Sequence, residues 1–138
     1  MRKNILVHCV LVLASLGATP LMAATITVSV GRNPSPDGVQ PGTEALVFTP
    51  NVVNVGPTDT VVFQQSATAT GHNVVADDDT FTSGTVKPGT WSLTVGPFAA
   101  GTAHLFYCAA HGAPGGVGMS GSIVVGTTPV RLQGFDVQ

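Results

Sequence analysis

Apolar residues along this chain fall in short alternating runs, which are rich in Val, Thr and aromatic side chains and are separated by Gly, Pro, Asn and Asp. This alternation is typical of β-strands joined by turns, and no stretch shows a helical period of useful length. Eight short strands at this spacing, within about one hundred residues, predict an all-β fold, an antiparallel β-sandwich. The predicted strands are Thr25–Val30, Ala45–Thr49, Val52–Val55, Thr60–Gln65, Asn73–Ala76, Thr90–Val95, Thr102–Cys108 and Gly121–Val125.

The segments between and after these strands have simple interpretations. Gly31–Gly42 is rich in proline and glycine and predicts a surface loop, and Asp77–Asp79 predicts a solvated turn. Trp91 and the phenylalanines are expected in the core. The tail at residues 127–138 follows the last strand, and the pattern leaves open whether it covers a sheet face or is loose.

The N-terminus carries the features of an export signal. Arg2 and Lys3 precede an apolar run from Ile5 to Leu16, and small residues follow at Ala23 and Ala24. A membrane anchor is the alternative, but it needs about 20 apolar residues and this run is shorter. We therefore predict a secretory signal peptide at residues 1–23, cleaved near Ala23, a mature domain at 24–126, and a periplasmic or secreted protein.

The charge balance excludes one large class of partner. Beyond residue 23 the chain has three basic residues, Arg32, Lys87 and Arg131, against seven acidic ones. Nucleic-acid binding calls for clustered basic residues, so we expect no nucleic-acid partner. We also expect a monomer that is not stably inserted in a membrane.

A candidate metal site is concentrated near the end of the chain. Cys108 is the only cysteine beyond residue 23, so it has no partner for an internal disulfide. His111 and Met119 follow it closely, and His72 lies 36 positions upstream. A thiolate, two imidazoles and a thioether form a ligand set that suits copper, with two His and one Cys in a plane and Met as a weak axial neighbour.

The spacing suggests how these ligands meet. Cys108 closes an apolar strand, His111 lies in the turn that follows, and the glycine-rich loop Gly112–Gly118 returns the chain to Met119. Asn73, next to His72, has an amide able to tie one ligand loop to the other.

Each of these residues also has a plainer interpretation. Cys108 would be a buried thiol, His72 a surface residue and Met119 a core filler. His104 is expected to be structural or at the surface. Tyr107 is most simply a packing residue, with an electron exit beside the cysteine as the alternative.

These motifs cover most of the mature chain, and together they resemble the small blue-copper proteins of the cupredoxin family, such as plastocyanin and pseudoazurin. The resemblance implies an eight-stranded Greek-key sandwich with one type 1 copper, a mobile one-electron carrier, and redox protein partners such as a cytochrome or a reductase. The resemblance also implies that the copper ligands are His72, Cys108, His111 and Met119. The matching segments are Phe48–Pro50, Asp59–Phe63, Gly71–Val75, Phe81–Gly84, Tyr107–Cys108, His111, Gly118–Gly121 and Ile123–Val125.

The chain departs from the family pattern in two places. Seven residues separate His111 from Met119, where plastocyanin-like proteins more often have about four, and this bears on the axial bond and the potential. Ala109 follows the cysteine where related proteins often have a hydroxyl residue, so Asn73 would lack its usual cross-loop partner.

Other copper and zinc functions fit the sequence less well. Copper oxidases and nitrite reductases resemble multi-domain proteins with further histidine clusters, and only three histidines lie beyond residue 23. A structural zinc site prefers four firm N or S ligands, and a thioether is a poor one. Copper storage or delivery in the periplasm, without electron transfer, is the main alternative, although such carriers would offer several exposed Met or His ligands.

Overall fold

The computed structural model describes residues 22–32, 44–66 and 70–127. Residues 1–21 of the predicted signal peptide and 128–138 of the predicted tail lie outside the described residues, as does most of the predicted Gly31–Gly42 loop.

Eight strands make up the described part of the fold, as the alternation predicts. Inward and outward positions alternate along them; β4, for example, buries Val61, Phe63 and Gln65 and leaves the residues between them more exposed. The strands are β1 Thr25–Arg32, β2 Glu44–Thr49, β3 Val52–Val55, β4 Thr60–Gln65, β5 Val75–Ala76, β6 Trp91–Val95, β7 Ala103–Ala113 and β8 Val117–Val125.

The strands form two four-stranded sheets, in the orders β2-β1-β4-β6 and β3-β8-β7-β5. The predicted eight-stranded all-β sandwich is confirmed. The prediction of antiparallel pairing is incomplete, because β1 pairs with β4 and β3 pairs with β8 in parallel. Each sheet is therefore mixed.

The core lies between the two sheets and is centred on packed aromatic rings. Phe106 of β7 is fully buried, and its ring meets those of Phe48 and Phe63 edge to face, with centroids 4.9 Å apart in both pairs. Such edge-to-face pairs stabilise a core by about 0.5–1.5 kcal/mol each beyond the area they bury. Trp91 is also buried, as expected. Because Phe106 lies two residues before Cys108, this packing fixes the strand that carries the thiol.

Three strands run at least two residues beyond the bounds that the alternation predicts. β1 continues through Gly31 and Arg32, which the sequence pattern assigned to a surface loop, and its pairing with β2 shifts register there. β7 continues past Cys108 to Ala113, where the pattern predicted a turn. β8 begins at Val117, four residues before its predicted start. All three extensions border the candidate metal site. Among the described residues, no helix is long and apolar enough to cross a membrane.

Candidate metal centre

Three of the side chains predicted as copper ligands come together at one end of the sandwich. The donor atoms of His72, Cys108 and His111 all lie within 4.8 Å of one another. The Sγ of Cys108 is 3.7 Å from Nδ1 of His72 and 3.5 Å from Nδ1 of His111. Both imidazoles therefore present the same ring nitrogen to the sulfur.

Cys108 and His111 are placed by an irregularity in the long β7–β8 hairpin. The register between the two strands shifts between Tyr107 and Gly112, so the residues from Cys108 to His111 form a bulge. A bulge re-aims side chains that a regular strand would send to opposite faces. The turn expected directly after Cys108 lies further on, at residues 114–116.

His72 comes from the loop before β5 and is held by its backbone. Its N–H and C=O exchange hydrogen bonds with Lys87, each 3.3 Å long. The amide of the buried Gln65 donates to the carbonyls of Lys87 and Gly89, at 2.9 and 2.7 Å. The strand β4 thus supports the segment that positions His72.

The imidazole of His72 lies directly against the backbone of β1. A Cβ added at Gly31 would stand 2.5 Å from Cδ2 and Nε2 of the ring, and Gly31 has a φ of 74°. Real Cβ atoms do not approach so closely, and this φ favours glycine. Gly31 therefore leaves the space that the fully buried His72 occupies.

Asn73 joins the two ligand segments. Its Oδ1 accepts a hydrogen bond from the N–H of Ala109 at 2.8 Å, and its Nδ2 donates to the carbonyl of Gly84 at 2.8 Å. The expectation that Ala109 leaves Asn73 without a cross-loop partner is wrong, because a backbone N–H needs no hydroxyl side chain. The tie predicted from the amide of Asn73 is present.

Met119 is buried in β8, the strand that pairs with the one carrying His111. The hairpin is narrow here: a Cβ added at Gly112 would stand 2.6 Å from the carbonyl oxygen of Met119, and one at Gly118 would overlap the carbonyl of His111. Two paired glycines thus keep this part of the hairpin free of side chains that would clash with the backbones of Met119 and His111. The role of Met119 as axial ligand remains a prediction.

The acidic turn after β5 has a structural part that its sequence did not show. Asp78 and Asp79 are exposed, as a solvated turn predicts, but Asp77 accepts a hydrogen bond from the N–H of Gly115 at 2.6 Å. Gly115 is at the tip of the β7–β8 hairpin. Asp77 therefore fastens the segment that connects two of the predicted ligands.

His104 lies outside the cluster of donor atoms and has a structural role, as expected. Its Nδ1 donates to Asp78 at 2.7 Å, and its ring packs on Phe98 with centroids 4.8 Å apart. Hydrogen bonds from Thr80, and more weakly the contact with His104, lower the pKa of the Asp78 carboxyl below its ordinary value.

The donor set fits copper. Typical metal–nitrogen bonds are about 2.0 Å long and metal–sulfur bonds about 2.3 Å. Three such bonds in one plane would place the sulfur at roughly the distances from the two nitrogens that are seen here. One thiolate and two imidazoles are the in-plane ligands of blue-copper sites, and a thioether completes them weakly. The four side chains are consistent with a single type 1 copper.

Fold and site together define a small copper-binding β-sandwich. Residues 38–126 match the family model described as copper binding proteins, plastocyanin/azurin family. The chain belongs to this family, which confirms the cupredoxin resemblance. No curated protein sequence matches the chain.

Solved structures with a similar fold include a pseudoazurin from Sinorhizobium meliloti, with 28% identity over 76% of each chain and a TM-score of 0.48. A purple cupredoxin from Nitrosopumilus maritimus has 14% identity over 72% of this chain and 98% of its own, with a TM-score of 0.50. A copper-containing nitrite reductase from Thermus scotoductus has 18% identity over 81% of this chain but only 24% of its own, with a TM-score of 0.51. The last two likenesses show the fold alone.

The sequence predicts the donors and one residue that supports them, Asn73, but not the other supports. Gly31, Gln65 and Asp77 all hold a ligand segment in place, and none belongs to a recognisable motif. Gly31 follows directly after a valine-rich strand, and a glycine at that position is equally expected at the start of a loop.

Proposed function

We propose that this protein is exported and carries single electrons between redox protein partners, as pseudoazurins and plastocyanins do. One observation supports this most directly: the donors differ in exposure. Cys108 and His72 are fully buried, whereas His111 is only partly buried and is flanked by exposed residues at Ala110 and Pro114. The site is thus shielded on most sides and open at one imidazole.

The surroundings of the donors suit this function. Copper, when bound, supplies a one-electron couple between Cu(I) and Cu(II). Asn73, Gln65 and Asp77 fix the donor segments through hydrogen bonds, and the aromatic core fixes β7. A donor set held in this way favours electron exchange at one geometry, without a change of ligands.

The surface around His111 is suited to brief contact with a protein partner. It is small and apolar: Ala109, Ala110 and Pro114 are exposed, and Val117 is 58% exposed. An exposed apolar patch commonly marks an interaction surface, and transient redox complexes bury little area. A cytochrome or a reductase is the proposed partner, and the carrier is proposed to act as a monomer.

The test is a charge placed in this surface. In Ala113→Glu, copper content and visible spectrum should stay as in the wild type, while electron exchange with the physiological partner slows markedly, because a hydrated carboxylate must be desolvated at the contact. Ala103→Glu is the matched control, since it places the same charge on an exposed position of β7 at the opposite end of the strand. Wild-type exchange rates in Ala113→Glu would refute the proposal that electrons enter and leave through the exposed side of the His111 imidazole. Tyr107 with the Asp77–Asp79 side would then be the better candidate.

Export is the second part of the proposal, and it is supported by the basic, apolar and small-residue order of the first 24 residues. Intact mass of protein from the periplasmic or secreted fraction should lack about the first 23 residues. Recovery of the full chain from the cytosol would refute export.

A further inference from the structure

The carboxylate of Asp59 accepts a backbone hydrogen bond from the start of the domain. The N–H of Ala24 donates to Oδ1 of Asp59 at 2.7 Å, and the N–H of Gly56 donates to Oδ2 at 2.8 Å. Asp59 is only 4% exposed. Both of its oxygens are therefore used, one of them by a residue 35 positions away in sequence.

No positively charged side chain of the described residues pairs with this carboxylate, and the ion pair seen there joins His104 and Asp78. Burial of a charged group is unfavourable unless the group is paired and hydrogen-bonded. Two neutral N–H donors satisfy the hydrogen bonding of Asp59 but leave its charge unbalanced.

Ala24 is also the first residue after the predicted cleavage position. Its carbonyl accepts a hydrogen bond from the N–H of Thr60 at 2.9 Å, so both of its backbone polar groups are held, one by Asp59 and one by the first residue of β4. Immediately before it, Ala23 and Met22 are exposed, Met22 by 82%. Ala24 is itself exposed, so the hydrogen bonds of its backbone, and not burial, mark where the chain joins the domain.

We propose that Asp59 is the docking site for the α-ammonium group that forms at Ala24 when the export segment is removed. This proposal rests on the export part of the proposed function. Hydrolysis of the Ala23–Ala24 bond by a signal peptidase consumes one water, leaves a carboxylate on Ala23 and frees the amine of Ala24. With a pKa of about 8, that amine takes up a proton at neutral pH.

The nitrogen that donates to Asp59 in the uncleaved chain is the nitrogen that becomes charged. Processing therefore converts a hydrogen bond with one charged partner into an ion pair without moving the atoms, and it gives the buried carboxylate the positive partner that it lacks. Because β1 pairs with β4 from Thr25 and Thr60 onward, the new ion pair lies directly before the first residue pair of that parallel pairing. The domain reaches its full stability only when its N-terminus is Ala24.

Thermal unfolding of two chains that differ by one residue tests the docking. Both are released from a fusion partner without extra residues, one beginning at Ala24 and the other at Ala23, and both are examined with copper bound. The Ala23 start keeps an amide at Ala24 and moves the ammonium about 3.8 Å along the chain. We expect the Ala24 start to unfold about 4 °C higher.

The same comparison in Asp59→Asn should show no difference between the two starts, because the carboxylate is gone. Acetylation of the Ala24 start is a second route that leaves Asp59 intact, and it should lower the unfolding temperature to that of the Ala23 start. Equal unfolding temperatures for the two starts with Asp59 present would overturn the proposal.

Processing itself has a separate readout. Mass analysis of the exported protein should give Ala24 as its first residue, and another N-terminus would overturn the docking in the native protein. Neither measurement involves a redox partner, so a failure of the electron-transfer proposal is seen independently.

Discussion

At the scale of single residues, the space for His72 depends on a position that contributes no side chain. Gly31 lies against the imidazole, so any Cβ there must displace the ring or the strand. We predict that Gly31→Ala lowers copper affinity by about 10- to 100-fold, the range found when groups that orient metal ligands are lost. Copper titration of the apoprotein measures this.

Gly101→Ala is the matched control for that substitution. Gly101 has a φ of 76°, close to the 74° of Gly31, but a Cβ there would make only an ordinary contact. It therefore carries the same backbone strain without the clash. Equal losses of copper affinity in the two variants would show that strain, and not the His72 contact, is responsible.

Met119 is expected to tune the copper without holding it. We predict that Met119→Leu keeps copper and colour and raises the reduction potential, because a weak axial sulfur stabilises the oxidised ion. The side chain is 2% exposed, and a Leu of similar volume fits such a site at a cost below about 1.5 kcal/mol. Voltammetry of the wild type and of Met119→Leu measures the two reduction potentials. Loss of copper from the variant would show that Met119 is a primary ligand, and an unchanged potential would show that it does not contact the metal.

Asp78 provides a test in the acidic pH range. Its carboxyl accepts hydrogen bonds from the hydroxyl of Thr80 at 2.6 Å and from the N–H of Thr80 at 3.2 Å, which lower its pKa below 3.8. The pKa of Asp78 is thus lower in the folded than in the unfolded protein, so these hydrogen bonds stabilise the folded state when the carboxyl is ionised. This stabilisation of the fold is fully present above the unfolded-state pKa, and it is lost as the pH falls through the folded-state pKa.

Thr80→Val should therefore raise the pKa of Asp78 toward its ordinary value, measured by the pH dependence of its carboxyl NMR signal. Thr94→Val, an exposed threonine on β6, is the control and should leave that pKa unchanged. A pKa that does not move in Thr80→Val would contradict the assignment of its cause.

The residues that could be predicted from sequence are those with distinctive chemistry. His72, Cys108 and His111 stand out because few residue types bind copper, and the structure brings their donor atoms together. Gly31 could not be predicted, because its role depends on which backbone passes the ring of His72. That contact arises only when β1 and the loop before β5 meet in three dimensions.

At the scale of elements, the β7–β8 hairpin carries most of the site. Its tip is fastened by the hydrogen bond from Gly115 to Asp77, whose other oxygen is buried with no hydrogen-bond partner among the described residues. We predict that Asp77→Ala speeds amide exchange at Gly115 about tenfold or more, since loss of a hydrogen bond to a charged group allows the tip to open.

Asp77→Asn is the control for this prediction, because an amide oxygen can still accept from Gly115. Exchange there should stay closer to that of the wild type. Protection at Gly115 that is unaffected by Asp77→Ala would mean that the hairpin tip is held by its own turn.

The sequence predicted this hairpin only in part. Its glycines and proline correctly mark a reversal of the chain, but they do not show that Gly112 pairs with Gly118 as strand residues. Paired glycines leave no apolar alternation, so the usual strand signal is absent. The last residues of β7 are therefore a strand because their backbone pairs with β8, and their side chains give no sign of this pairing.

At the scale of the whole molecule, alternation predicted the sandwich and most of its strands but not their directions. The pattern shows which residues point inward, as at Val61 and Phe63, and this holds for parallel and antiparallel neighbours alike. Direction depends on how the connections cross between the sheets. The parallel pairs of β1 with β4 and β3 with β8 could not be predicted from the pattern for this reason.

The central claim, that His72, Cys108 and His111 hold a single type 1 copper, is tested most directly by the visible spectrum of the oxidised, copper-loaded protein. Bound at one copper per chain, it should show the intense band of thiolate-to-Cu(II) charge transfer, and Cys108→Ser should abolish the band. A wild-type protein that holds one Cu(II) per chain and is colourless would contradict the claim.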